Sequence, residues 1–274
     1  MSSLPTFTSI TTAKEVATVF ADHIRGKNVL VTGPTINGLG FETARALAGY
    51  ANLVVIAGYN LERLKLAEAA ITAEIPSANI RFLVLDLASL ASVRAAAAQV
   101  NAYPEPLHVL IHNAAAPGGE FKLSEDHLEM HLAVDHVGPF LLTKLLAPRL
   151  LAAKTASYTP RVVYVSSSAH TLAGVDLAML CTNPDPARYS VYGAYAQAKT
   201  ANVLTARELS RRAGGRINAY SLHPGTIFTN AQLREGVKEH MVALGLTAFP
   251  TRRNSNGRHW VEGQQRKFRT GVST

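Results

Sequence analysis

A glycine-rich turn between an apolar run and a helical pattern constrains this chain more than any other feature. The segment KNVLVTGPTINGLGFETARALA occupies residues 27–48, with an apolar run at 29–31 followed by Gly33, Gly38 and Gly40. Glycines let a backbone approach a pyrophosphate closely, and the N-terminus of a helix offers that anion unpaired N–H groups. Strand, glycine turn and helix in this order are typical of a dinucleotide-binding βα unit.

The rest of the chain alternates short apolar runs with helical patterns. Because these runs are continuously apolar, they indicate strands of a parallel sheet that is covered by helices on both faces. The sequence predicts one α/β domain with a Rossmann-type, doubly wound parallel sheet, and Asn60 is predicted to cap the helix after the second strand. Further strands are predicted at 53–57, 80–85, 108–112, 161–165 and 216–222, and long helices at 124–153 and 189–213.

Length and composition fit one enzyme-sized domain. The chain has 274 residues and one cysteine, Cys181, which excludes an intramolecular disulfide. No apolar run is long enough to span a membrane, and the N-terminus lacks the pattern of a secretory signal, so we expect a cytoplasmic protein.

The net charge of +8 is concentrated at one end of the chain. Residues 250–274 hold six basic side chains against one acidic side chain, so the preceding part is close to neutral. The sequence therefore predicts an N-terminal extension at 1–23, a dinucleotide-binding domain at 24–248, and a basic, disordered tail at 249–274. Such a tail would bind nucleic acid only weakly and with steep salt dependence, so no nucleic-acid partner is predicted.

Seven motifs in a fixed order resemble the short-chain dehydrogenase/reductase family, in the group that includes retinol-dehydrogenase-like enzymes and fungal biosynthetic reductases. The resemblance covers about residues 24–230. The motifs are the glycine turn above, LDL at 85–87, HNAA at 112–115, VDHVGPFLLTKLL at 134–146, RVVYVSSSAH at 161–170, Tyr195 with Lys199, and HPGTIFT at 223–229.

Tyr195 and Lys199 are the candidate acid–base pair. They stand at i and i+4, so they share one face of a helix. A neighbouring ammonium stabilises a phenolate, which suits a tyrosine to proton transfer at a carbonyl or carbinol. The resemblance implies that Lys199 also holds the nicotinamide ribose, that Ser167 hydrogen-bonds the substrate oxygen, and that Asp135 stands where the family has a catalytic Asn.

The resemblance also implies which residues hold the cofactor. Asp86 has an alternative interpretation as a helix cap, and His112 and His170 are interpreted as packing or polar lining rather than catalytic residues. The implied cofactor-binding set is Gly33, Gly38, Leu39, Gly40, Asp86, Leu87, Asn113, Ala114, Tyr195, Lys199, Ile227 and Thr229.

The end of the second predicted strand favours NADP over NAD. An acidic residue there would bind the ribose hydroxyls and repel a 2′-phosphate. Gly58 occupies that place, Tyr59 stands where the family has a phosphate-binding Arg, and Arg63 lies one turn further on. We expect NADP, with NAD not excluded, and no metal.

Three features depart from the family pattern. The glycine turn has one extra residue between its first two glycines, a form that many fungal members share. Asp135 replaces the family Asn. After about residue 248 the resemblance stops, so the family's last helix and seventh strand are missing from the pattern. The sixth strand is then expected to form an open edge, which would make the protein less soluble than its relatives or would be covered in a homodimer.

These features predict an NADP-dependent oxidoreductase that interconverts a ketone or aldehyde and an alcohol. The segment between Ser167 and Tyr195 is long and contains apolar residues, so a small apolar substrate, such as a secondary metabolite, is expected. The alternative is a non-catalytic dinucleotide-binding protein, which Asp135 and the missing C-terminal elements favour. Cofactor binding without turnover would identify this alternative.

Overall fold

The computed structural model describes residues 5–8, 10–118, 120–176, 189–225, 227, 251–253 and 259–261. The chain divides into two compact units, Met1–His223 and Pro224–Thr274. The division between the units falls after the sixth strand, and the predicted domain boundary at 248 lies outside the described residues. Most of the first unit is described, and it contains the sheet.

The first unit is built on a six-stranded, wholly parallel sheet in the order β3-β2-β1-β4-β5-β6. The order reverses between β1 and β4, which is where doubly wound sheets bind ligands. This arrangement confirms the predicted Rossmann-type fold. The strands are β1 Asn28–Thr32, β2 Leu53–Gly58, β3 Ile80–Val84, β4 Val109–His112, β5 Arg161–Val165 and β6 Asn218–Leu222.

Helices cover the sheet on both faces because each presents an apolar stripe to it. One buried cluster packs α3 and α4 on β1 and β2, and the other packs α5, α6 and α7 on the opposite face. Asn60 Oδ1 accepts the Arg63 N–H, which is the predicted cap of α4. The helices are α1 Ala13–Val19, α2 Ala21–Ile24, α3 Leu39–Ala48, α4 Leu61–Glu74, α5 Leu90–Asn101, α6 Gly138–Ala152 and α7 Val191–Ala213.

The long helix predicted at 124–153 is wrong in its first half. A π-helix, Leu132–Val137, runs into α6, and an isolated bridge joins Leu123 to Glu129 before it. Pro139 has no N–H to donate to the carbonyl of residue 135, so the regular α-helical ladder is interrupted there. The interruption matters for function because Asp135 lies on the π-helix.

Parts of the two predicted extensions have regular structure. Residues 1–23 include α1 and α2, and Thr18 Oγ1 lies 2.9 Å from Tyr50 Oη at the end of α3. In the predicted disordered tail, Thr251–Arg253 and His259–Val261 form a short antiparallel pair, β7 and β8. The rest of the tail lies outside the described residues, so its predicted disorder stays a prediction.

Among the described residues, no helix is both long and apolar enough to cross a bilayer.

Candidate active site

The glycine turn after β1 is packed too tightly for side chains. Gly33 has a φ of +72°, and a Cβ there would lie 2.8 Å from the Ala114 Cα. A Cβ on Gly40 would lie 2.4 Å from Asn113 Nδ2 and 2.5 Å from the Gly33 carbonyl oxygen. The turn therefore needs glycine for its own packing, and it leaves bare backbone facing outward from the sheet.

Helix α3 begins directly after this turn without a side-chain cap. Gly38 is its N-cap residue, and no side chain in the described part of the chain accepts the first-turn N–H groups through that cap position. Asn37 takes a left-handed conformation with a φ of +63° and accommodates the extra residue of the turn. Uncapped N–H groups and the helix dipole fit the pyrophosphate of a dinucleotide.

Three further predicted cofactor residues lie at the carboxyl ends of β3 and β4. Asn113 Nδ2 donates to the carbonyl oxygens of Thr32 and Gly33 at 3.0 and 3.1 Å, so its amide fixes the glycine turn. Asp86 is exposed and its Oδ1 accepts the Ala88 N–H at 2.9 Å, whereas Ser89 is the N-cap of α5. Leu87 is buried. Asp86 therefore accepts a hydrogen bond in the turn before α5, but the N-cap of the helix itself is Ser89 and not Asp86.

The end of β2 carries no acidic side chain. Gly58 ends the strand, Tyr59 is 66 % exposed, and Arg63 is exposed in the first turn of α4. A 2′-phosphate would meet no negative charge from these residues, and the Arg63 guanidinium is the nearest cation in sequence.

Tyr195 and Lys199 lie on α7, which packs against the π-helix and against the 3-10 helix Ser168–Thr171 after β5. Ser190 Oγ accepts the Gly193 N–H and starts α7 close to Tyr195. Lys199 is only 2 % exposed, and its Nζ donates to the Val165 carbonyl oxygen at 3.1 Å. The ammonium lies 5.3 Å from the centroid of the Tyr195 ring, so the predicted pair is brought together.

Asp135 completes a buried ion pair with this lysine. Its Oδ2 lies 3.0 Å from Lys199 Nζ, and its Oδ1 accepts the Ala116 N–H at 2.6 Å. Asp135 is 1 % exposed. Oδ2 has no partner in hydrogen-bond geometry among the described residues, so the Lys199 contact is an electrostatic pair rather than a directed hydrogen bond. Asp135 Oδ2 therefore accepts no hydrogen bond from the described residues, although it lies beside the Lys199 ammonium.

The three serines after β5 have different surroundings. Ser166 is buried and its Oγ donates to the Lys199 carbonyl oxygen at 2.8 Å, a structural contact that ties β5 to α7. Ser167 is half-buried, caps the 3-10 helix, and accepts the Ala169 N–H at 3.2 Å. Ser168 is exposed. Only Ser167 combines partial exposure with a position at the carboxyl end of β5, as predicted for a substrate contact.

His112 and His170 have structural partners. His112 is buried, its Nε2 lies 2.7 Å from Thr143 Oγ1, and its ring stacks on Tyr164. Burial lowers the pKa of His112 to about 3, with a smaller contribution from His136, so the ring is neutral near pH 7. His170 Nδ1 lies 2.6 Å from the Ser167 carbonyl oxygen. These contacts agree with the packing interpretation of both histidines.

A second buried contact between titratable side chains lies beside this site and was not predicted from the sequence. Glu129 and His131 precede the π-helix, with 3.1 Å between Glu129 Oε1 and His131 Nδ1. Tyr189 donates its hydroxyl to the same carboxylate at 3.0 Å. A Glu and a His two residues apart before a helical pattern were the available signal, but only the tertiary fold brings Tyr189 to them.

The last two predicted cofactor residues belong to the second unit. Ile227 is half-buried. Thr229 lies outside the described residues, as do the parts of the segment after Ser167 at 177–188.

The chain was compared with known proteins. A family model described as short chain dehydrogenase matches residues 27–183. The chain is 38 % identical to the short-chain dehydrogenase TIC 32 A, chloroplastic, of Brassica napus, over 84 % of this chain and 72 % of that protein. It is 34 % identical to the oxidoreductase fscI of Fusarium equiseti, over 80 % of this chain and 94 % of that protein. It is 36 % identical to human retinol dehydrogenase 13, over 78 % of this chain and 63 % of that protein.

A solved structure shares the fold. It is a short chain dehydrogenase from Escherichia coli CFT073 complexed with NADPH, with a TM-score of 0.61 and 23 % identity over 82 % of this chain and 91 % of that one. Together with the family model and the relatives, the parallel sheet and its glycine turn lead to one conclusion: the chain belongs to the short-chain dehydrogenase/reductase family of oxidoreductases, in its retinol-dehydrogenase-like group.

Proposed function

We propose that this protein is an NADP-dependent oxidoreductase that interconverts a small apolar ketone or aldehyde and its alcohol. The observation that carries the proposal is the buried ammonium of Lys199, 5.3 Å from the Tyr195 ring, at the carboxyl end of the sheet. A buried lysine generally has an ionic partner or a functional role. Here it has an ionic partner in Asp135 and lies beside the ring of Tyr195.

Tyr195 is the proposed proton donor for reduction and proton acceptor for oxidation. In reduction its hydroxyl proton goes to the carbonyl oxygen of the substrate, which leaves a phenolate that Lys199 stabilises. Ser167 is the proposed hydrogen-bond partner of that substrate oxygen. A bound nicotinamide cofactor would supply the hydride that these side chains do not provide.

The glycine turn and α3 are the proposed pyrophosphate site. The N–H groups of Leu39 and Gly40 lie in the first turn of α3, which has no side-chain cap. Gly33 has no side chain that would obstruct the turn. Asp86, Leu87 and Asn113 flank the same edge of the sheet from β3 and β4. These positions support a dinucleotide that lies across β1, where the strand order reverses.

NADP is proposed rather than NAD because no carboxylate follows β2. Arg63 is exposed in the first turn of α4 and is the proposed partner of a 2′-phosphate. The NADPH complex of the Escherichia coli relative agrees with this choice. The proposed substrate is apolar because Leu172 and Val175 follow Ser167, and because one relative is named for retinol. A role in secondary metabolism and a cytoplasmic location remain predictions.

The second candidate function is cofactor binding without catalysis. The specific observation behind it is the 3.0 Å ion pair between Lys199 and Asp135. A carboxylate at this distance offsets part of the field that the ammonium exerts on Tyr195. A protein of this kind would bind NADPH and turn over no substrate.

Fluorescence titration tests the cofactor proposal. NADPH should bind more tightly than NADH, and Arg63→Gln should weaken NADPH about 10-fold, as expected for the loss of one exposed charge-assisted contact, while NADH affinity stays the same. Lys65→Gln is the matched control, because Lys65 lies on the same helix but pairs with Glu62 at 3.0 Å. Equal affinities for the two dinucleotides, unaffected by Arg63→Gln, would overturn the choice of NADP.

A further inference from the structure

A cavity of about 430 Å³ lies towards the amino end of the sheet, on the face that α3 covers. Among the residues that line it, Lys27 directly precedes β1, and Val109 and Arg161 are the first residues of β4 and β5. The proposed active site lies at the carboxyl end of the same strands, so the cavity is separate from it. Its apolar walls are formed by Phe20, Ile24, Val29, Leu47, Val109 and Ile111.

Several of these apolar side chains remain only half-buried. β4 has a neighbouring strand on each side, and the central strands of a parallel sheet are normally buried on both faces. On this strand Val109 and Ile111 are nevertheless half-buried, and so is Leu47 at the end of α3. An aliphatic chain in the cavity would remove this apolar surface from water, and such burial is the main source of affinity for an apolar ligand.

Two permanently charged cations, Lys27 and Arg161, complete the lining together with the exposed His23. Lys27 Nζ lies 4.3 Å from the centroid of the Tyr158 ring, and Arg161 Cζ lies 5.3 Å from the centroid of the same ring. Both cations are therefore held close to one aromatic side chain at one end of the cavity. Long basic side chains can lay an apolar stem along such a wall and keep the charged end in water.

Neither cation is balanced by an acidic side chain. In the part of the chain that the structure describes, no ion pair includes Lys27 or Arg161. The described lining of the cavity likewise contains no Asp or Glu. Two like charges held at one ring repel each other, and an anion beside them would offset that repulsion.

We propose that this cavity is a binding site for an amphipathic carboxylate, a ligand with one aliphatic chain that ends in a carboxylate group. The aliphatic chain lies against the apolar walls, and the carboxylate pairs with Lys27 and Arg161. Sites for small molecules commonly have volumes of about 300–1,000 Å³, apolar walls and a few polar groups that fix the orientation of the ligand. The site does not depend on the reaction proposed for Tyr195, so it can be tested whether or not turnover is found.

A purely structural role for the two cations makes different predictions. Lys27 and Arg161 could serve only to pack on the Tyr158 ring. Replacing either cation would then lower the free energy of unfolding, and no carboxylate would bind in the cavity. The two roles are therefore separated by measuring the binding of a carboxylate and of an uncharged ligand with the same chain.

The experiment titrates the purified full chain with octanoate, 1-octanol and butanoate by isothermal calorimetry. Octanoate should bind at least about 10-fold more tightly than 1-octanol, because only the carboxylate makes charge-assisted hydrogen bonds. Butanoate should bind on the order of 100-fold more weakly than octanoate, because it buries four fewer methylene groups.

Substitutions of the two cations locate the carboxylate. Lys27→Gln and Arg161→Gln should each weaken octanoate about 10-fold and leave the affinity for 1-octanol unchanged. Because each variant tests the site by itself, a folding defect in one leaves the other informative. Lys144→Gln is the matched control, since Lys144 is exposed on α6, which packs on the opposite face of the sheet. Its affinity for octanoate should equal that of the wild type.

A substitution in the wall locates the aliphatic chain. Leu47→Trp places a larger side chain in the cavity and should weaken octanoate and 1-octanol alike, by at least about 10-fold. Octanoate that bound at the proposed active site instead would be unaffected by the Lys27, Arg161 and Leu47 variants, and this result would overturn the proposal. The absence of octanoate binding would overturn it too. An affinity that falls as the protein concentration rises would show that a second copy of the chain covers the cavity, which also contradicts the proposal.

Discussion

The charge of Lys199 is balanced inside the protein by the Asp135 carboxylate. Asp135 Oδ2 lies 3.0 Å away, and both side chains are almost wholly buried. Removing one partner of such a pair leaves an uncompensated buried charge, which costs about 3 kcal/mol or more. The same carboxylate weakens the field that favours a Tyr195 phenolate. Stability and catalysis therefore place opposite demands on residue 135.

The Asp135→Asn variant tests both effects of this carboxylate, on stability and on catalysis. The amide oxygen can keep the Ala116 N–H, but the counter-charge of Lys199 disappears, so the free energy of unfolding should fall by about 3 kcal/mol. At the same time kcat should rise about 10-fold, which corresponds to roughly 1.4 kcal/mol of barrier. Urea denaturation and steady-state kinetics on the same preparation measure both. A stable variant with lower kcat would mean that the site is adapted to its aspartate.

The site residues that could be predicted from the sequence are those whose partners are close along the chain. Tyr195 and Lys199 share a helix face by their spacing alone, and Ser167 follows a strand. The contacts of Asp135 with Lys199 and of Glu129 with Tyr189 span about 60 residues, so no local pattern encodes them. Burial and ionisation of these groups depend on the packed fold.

At the scale of elements, the turn between β1 and α3 is fixed by close backbone contacts. Gly40→Ala would place a Cβ 2.4 Å from Asn113 Nδ2 and should weaken NADPH binding at least about 10-fold, with a loss of stability of about 1–3 kcal/mol. Gly49→Ala is the control at the other end of α3, because Gly49 has helical dihedral angles and its Cβ would lie 4.0 Å from the nearest atom. Its NADPH affinity should be unchanged, as fluorescence titration would show. Equal affinities for both variants would refute this account of the turn.

The buried His112, at the end of β4, should make the free energy of unfolding decrease at acid pH. Burial lowers the pKa of His112 to about 3, so the unfolded state takes up a proton below about pH 6.5 and the folded state does not. The stability that this histidine contributes is complete above pH 6.5 and declines as the pH falls towards 3, by on the order of 4 kcal/mol. His112→Gln should therefore show a smaller loss of melting temperature between pH 7 and pH 4. An identical slope in both proteins would assign the acid sensitivity to other groups.

The strands were easier to predict than the helix before α6. All six predicted strands are present, each predicted run after the first is followed by Gly, Asp, Asn, Ser or His, and the fifth strand has the predicted bounds. The π-helix could not be predicted, because Pro139 is compatible with the first turn of an ordinary helix. The close approach of Gly138 to the Leu87 carbonyl is a tertiary contact, and no local sequence pattern encodes it.

For the molecule as a whole, the open side of the sheet is the feature that bears on assembly. Within the described part of the sheet, β6 has β5 as its single neighbour. Tyr220 and Leu222 on this strand are 48 % and 43 % exposed, and an exposed apolar edge invites pairing with another chain. A homodimer that covers this edge is the expected state in solution.

Tyr220→Lys should shift the protein towards monomer, because a charged side chain on an edge strand disfavours pairing with another chain. Light scattering coupled to size exclusion measures the change. The control is Leu66→Lys on α4, where Leu66 is 60 % exposed and far from β6 in the strand order. A wild-type protein that is monomeric at all concentrations would contradict the expected dimer.

The oxidation of NADPH by the purified protein against a panel of apolar ketones and aldehydes tests the central claim most directly, with Tyr195→Phe measured beside the wild type. The account predicts turnover by the wild type and a loss of at least about 100-fold in kcat for Tyr195→Phe, with NADPH affinity retained, since general acid catalysis contributes at least that much. Full activity in Tyr195→Phe would contradict the assigned chemistry. NADPH binding with no turnover of any carbonyl would instead favour the non-catalytic alternative.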